Sequence, residues 1–143
     1  MLEAPKHGWA TFTYRDFSCT PSYLTDVPMD LLNCLISLYE TGFGGCLFDT
    51  EGSEYELFLS QESVLVVCHE DKRKILDLTP ENYLGNREKN RMAKELIFDI
   101  ESNLNDWVHW DYMDNDAKET AIRREALRTK IEKLKKLIKQ TEK

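Results

Sequence analysis

The sequence predicts an α+β fold: an antiparallel β-sheet of about 4–5 strands with an N-terminal helix and a C-terminal pair of long helices packed on it. Three observations lead there. Residues 45–78 hold short apolar runs separated by charged or Gly/Ser turns of about four residues, the signature of hairpins. Residues 91–112 carry Met92, Ala93, Leu96, Ile97, Ile100, Leu104, Trp107 and Val108 at steps of three and four, the period of one helix face. Residues 117–140 repeat that period with Ile122, Ala126, Leu127, Ile131, Leu134 and Ile138. At 143 residues the chain reads as a single domain spanning 1–143.

Taken in order, Trp9–Phe17 alternates, with Ala10, Phe12 and Tyr14 on one side, and reads as a first strand over 9–17. Pro21 bars a long continuation. A helix follows over 28–41. Thr25 or Asp26 can cap it, Pro28 suits its first position and Asp30 suits its positive end, while Gly42, Gly44 and Gly45 stop it. The meander of 45–78 comes next. Within it Tyr55, Leu57 and Leu59 alternate with Glu56 and Phe58, so that strand has one less buried face, while Val64–Val67 reads as central. The long helix, about 88–112, needs a partner surface and reads as the element around which the rest is organised. Met113–Asp116 forms a corner, and the last helix folds back against the long one. Its spacing at 127, 131, 134 and 138 also fits a short heptad seam, so the chain is a monomer or a homodimer through this helix.

Composition narrows the function classes. No run nears the ~18 apolar residues of a membrane span, and the start lacks a basic flank leading into an apolar core, so a cytoplasmic protein is expected. Cysteines 19, 34, 46 and 68 form no CxxC pair and read as buried free thiols rather than disulfides. Residues 117–143 hold ten Lys/Arg against four Asp/Glu, a balance of +6, whereas the other 116 residues hold nine against 22, a balance of −13. An acidic body carries a basic tail. The two either neutralise each other across a helix contact or leave the body free to attract a basic partner. A body at that charge repels nucleic acid, so no nucleic-acid partner is expected despite the basic tail.

No catalytic frame stands out. His7, His69 and His109 lie outside any nucleophile motif. Cys68-His69-Glu70-Asp71 alternates faces along a strand and cannot converge on one ion, so no metal or cofactor is expected. Gly42-Phe43-Gly44-Gly45 follows a helix rather than preceding one, the reverse of a phosphate loop. The candidate binding residues are acidic. Asp106, Trp110, Asp111, Asp114 and Asp116 set aromatics beside acids at the expected end of the long helix, whose partial negative charge repels them. Glu51 and Glu54, with Asp49 and Glu56, form a second acidic group around the first hairpin turn.

The stretches GWATFTYRDFS (8–18), SYLTDVPMDLL (22–32), DTEGSEYEL (49–57) and DWVHW (106–110) resemble small acidic immunity proteins of bacterial toxin–immunity systems. The resemblance implies an α+β antidote that binds and blocks a co-encoded toxin, and it carries over no individual binding residue. The basic last helix departs from a uniformly acidic antidote. The leading expectation is a non-enzymatic inhibitor of a basic partner such as a toxin domain; the alternative is a self-associating module that dimerises through the last helix.

Overall fold

A computed structural model describes residues 1–72, 74–76, 84–110 and 116–143; within 74–76 only the backbone is described. The chain is α+β, with two antiparallel sheets and four helices among the described residues. The expected strand over 9–17 is instead a hairpin, β1 (Phe12–Tyr14) and β2 (Phe17–Cys19). Arg15 takes φ 52° in its turn, so the chain reverses where no glycine marks it. The expected alternation holds: Ala10, Phe12 and Tyr14 are all buried.

Helix α1 (Val27–Thr41) starts on Pro28 in its first turn and ends on Gly42, whose φ of 85° is the left-handed stop. Only this glycine ends the helix. Gly44 and Gly45 belong to β3 (Phe43–Asp49), which leads a second sheet with β4 (Glu54–Ser60), β5 (Val64–Cys68) and β6 (Lys74–Leu76) in the order β3-β4-β5-β6. The single expected sheet is thus two. Cys46, Phe48, Leu57, Leu59, Val64 and Val66 point from the larger one into the core. Gly44 lets α1 lie directly on β3: a Cβ there would stand 2.2 Å from the Cys34 carbonyl oxygen. The small sheet joins the same core through Phe12, stacked 4.6 Å from Phe48, and Phe17, 5.4 Å from Tyr55.

The expected long helix breaks in two at Asn103, giving α2 (Asn86–Ser102) and α3 (Leu104–Val108). Asn103 leaves helical geometry with φ −125° and ψ 28°, and its side-chain amide donates to the Asp99 carbonyl at 3.0 Å. Trp107 and Val108 of α3 are fully buried in the core. Helix α4 (Ala117–Thr141) packs on α1 as well as on α2 and α3. Leu127, Ile131, Leu134 and Ile138 are all buried in that contact, whereas Ile122 is 62% exposed. The heptad seam is therefore spent inside the chain. The central element is α1, clasped between sheet and helical layer, and not the longer helix expected to organise the fold. None of the described helices is long and apolar enough to cross a membrane.

Candidate functional site at the open face of the sheet

Helix α1 and the small sheet cover one face of the four-stranded sheet; no described element covers the other. The alternation of each strand and the pairing register decide what that open face displays. From β3 come Phe43, Gly45, Leu47 and Asp49; from β4 come Ser60, Phe58, Glu56 and Glu54, paired with them in that order. β5 adds Leu65 opposite Phe58 and Val67 opposite Glu56, with His69 just beyond. One half of the face is apolar, with Phe43 68% and Phe58 40% exposed. The other half, toward the 50–53 turn, is acidic.

At the acidic end His69 lies between two carboxylates, with Nδ1 3.2 Å from Glu54 and Nε2 2.8 Å from Glu56. Both ring nitrogens face acceptors, the arrangement of an imidazolium. The hydrogen bond to Glu56 is the largest cause holding the histidine pKa above its ordinary value, followed among the raising causes by that to Glu54. Behind this clamp Glu70 accepts from the Cys68 thiol at 3.0 Å and from the Glu54 backbone N–H at 2.7 Å. The thiol bond is the first cause of a Glu70 pKa below the usual carboxylate range. Asp49 caps the neighbouring turn by accepting from Glu51 N–H at 2.7 Å, and Glu51 itself, at φ 57°, is exposed. Asp49, Glu51, Glu54, Glu56, Glu70 and Asp71 thus share one end of the molecule with His69 and Lys72.

The corner between α3 and α4 is assembled differently. Asp111 and Asp114 lie outside the described residues. Trp110 is not a surface anchor: it is buried, its ring 5.2 Å from that of Trp107, and its indole N–H donates to the Thr25 carbonyl at 3.3 Å. Asp116 caps α4, accepting from the Glu119 N–H at 2.8 Å. It therefore meets the positive end of a helix rather than the negative end, and stabilises it. Asp106 is exposed on the first turn of α3. The structure thus brings Glu51 and Glu54 together with further carboxylates, while the described members of the corner group serve separate local roles.

The basic tail is engaged on the far side of the fold. Arg123 clamps Asp26, with Nη2 2.9 Å from Oδ1, and donates to the Trp107 carbonyl at 3.1 Å. Lys133 meets Glu40 at 2.7 Å and Lys135 meets Glu101 at 2.7 Å. These pairs neutralise acids of α1 and α2. The acids of the open sheet face are not among them.

Among the described residues no group of three or more His, Cys, Asp or Glu is placed to hold a metal. Burial pushes the Cys19 and Cys34 thiols up to about 12, so both stay protonated and unreactive at neutral pH. Sequence reasoning named Glu51, Glu54 and the outward step of Glu56 and Phe58, but missed the histidine clamp and the apolar half of the face. Continuing the period-two count from β4 into β3 and β5 would have found Phe43, Leu47, Leu65 and Val67. No protein-family model matches the chain, and comparison with curated proteins and with solved structures finds no counterpart.

Proposed function

We propose that this chain is a non-enzymatic binding protein that captures a basic protein partner and occludes it, as the immunity proteins its sequence resembles block their toxins. One observation carries the reading: a band of carboxylates, Asp49, Glu51, Glu54, Glu56 and Glu70, gathers at the end of an uncovered sheet face, away from the tail cations that pair with acids of the helical layer. The carboxylates of this end outnumber His69 and Lys72, and a net excess of one charge sign raises the encounter rate with an opposite surface and is screened by salt. Self-association through α4 has less support, since the seam it would use is buried against α1 and α2.

A tagged pull-down from lysate of the source cell, washed at low and at high salt and read by mass spectrometry, tests the capture. The expected result is one stoichiometric basic protein, held more weakly as salt rises and lost from a Glu54→Lys/Glu56→Lys variant. Equal retention by parent and variant at both salt levels removes the sheet face from the reading. The recovered partner then enters an inhibition assay of its own activity.

A further inference from the structure

Resting on that reading, we infer that the partner meets the open sheet face with a cationic amphipathic helix, its apolar side chains seated over Gly45 and its Lys/Arg side chains over Glu54 and Glu56. The face is built as two adjoining halves on one surface. Phe43, Gly45, Phe58 and Leu65 line a cleft of about 600 Å³ that reaches the edge of β3 beside Ser37 and Thr41 of α1. The glycine leaves a notch in the floor of that cleft. This chain does not need the notch for its own packing: a Cβ at Gly45 would meet nothing closer than the Leu57 carbonyl at 3.8 Å. Its neighbour Gly44 is the opposite case, since α1 occupies the space its side chain would need. The same sheet therefore seats a helix on one face at Gly44 and presents a vacant small-residue notch on the other at Gly45.

Charge complementarity names the occupant. Asp49, Glu54 and Glu56 continue the open face beyond the apolar half, and the His69 clamp holds the latter two carboxylates in place. From Phe58 to Glu54 the strand advances four residues, roughly 14 Å at ~3.4 Å per residue. A helix covers that span in about nine residues at ~1.5 Å each. Apolar residues at i and i+4 followed by Lys or Arg at i+8 and i+11 lie on one helix face and match both halves. A purely basic strand or loop would satisfy the acids and leave Phe43 and Phe58 in water.

The probe is a synthetic alanine-based helical peptide with Leu at i and i+4 and Lys at i+8 and i+11. Two control peptides replace both Leu by Ser or both Lys by Glu. Binding to the full-length protein is read by fluorescence anisotropy and mapped by amide chemical shifts. The expected result is saturable binding of the probe with shifts at Gly45, Glu56 and Phe58, about tenfold weaker for Phe58→Ser and for Glu54→Gln/Glu56→Gln. Only the carboxylate variant should converge on the parent at high salt. All three side chains lie on the uncovered face, and circular dichroism checks that the variants keep the fold. If Phe58→Ser and the Ser control bind like their parents while the carboxylate variant loses binding, the helix inference fails and acid-led capture stands. Shifts confined to another surface, or no saturation, also overturn the inference; the pull-down then judges the capture reading by itself.

Discussion

Gly44 and Gly45 are adjacent in sequence and should respond oppositely to the same change. In Gly44→Ala the new methyl is placed 2.2 Å from the Cys34 carbonyl oxygen and 2.9 Å from its Sγ. A carbon and an oxygen need roughly 1 Å more, so α1 and β3 must separate or twist. Both elements are core-forming, with Leu35, Leu38, Cys46 and Phe48 buried nearby. A gap of that size forfeits about a quarter to a half of each dispersion contact it opens. The cost falls at the upper end of overpacking, about 3 kcal/mol, or a melting point roughly 10 °C lower. In Gly45→Ala the methyl on the outer face meets only the Leu57 carbonyl at an ordinary 3.8 Å, without a left-handed backbone to strain it. That variant should be neutral or stabilised by about 0.5 kcal/mol, through the smaller entropy of its unfolded chain. Urea denaturation of the three proteins side by side decides the matter. A Gly44→Ala midpoint corresponding to less than ~0.5 kcal/mol of destabilisation would refute the close approach of α1 to β3.

His69 should titrate above its ordinary value of 6.5 in a side-chain NMR titration, and Glu56→Gln should lower it more than Glu54→Gln. Because the folded-state pKa is the higher one, the clamp stabilises the fold fully below about pH 6.5 and loses that contribution as pH rises through the folded value; His69→Gln should flatten this part of the stability profile. Arg123→Ala removes the bonds to Asp26 and to the Trp107 carbonyl and should cost about 2 kcal/mol in urea denaturation. Asp116→Ala should cost about 1 kcal/mol through loss of its helix cap. Ile131→Asp or Leu134→Asp should unfold the protein, since each buries an unpaired carboxylate; a folded variant that differs only in sedimentation would restore the α4 dimer.

The elements legible in the sequence are those whose period and punctuation agree. Helix α1 has Pro28 at its start, Gly42 at its end and an apolar stripe between, and its observed bounds differ by one residue. Strand β4 carries a clean alternation, and the faces it predicted are the faces seen. Two features were hidden by competing signals. The apolar spacing runs unbroken from Leu96 through Asn103 to Trp107, so nothing in the pattern marks the break; only the backbone of Asn103 and its bond to Asp99 do. The turn at Arg15-Asp16 contains no glycine, and the small hairpin reads as one strand. At the corner between α3 and α4 the sequence signal was of another kind. Closeness in sequence said nothing of role, and Trp110 was drawn into the core while Asp116 became a cap.

That distinction bears on how the net charge acts. A balance of −13 against +6 would count for little if the two were mixed over one surface, because neighbouring opposite charges cancel within about a Debye length of ~8–10 Å. Here they are sorted by layer. Tail cations meet Asp26, Glu40 and Glu101 on the helical side, with one sheet and one helix between them and the open face. Reversing Lys133 or Lys135 would therefore alter helix packing and leave the field at Glu54 and Glu56 nearly unchanged. Reversing Glu54 or Glu56 would do the opposite. An acidic protein can carry a strongly basic helix and still present a negative surface, provided the fold puts its core between the two.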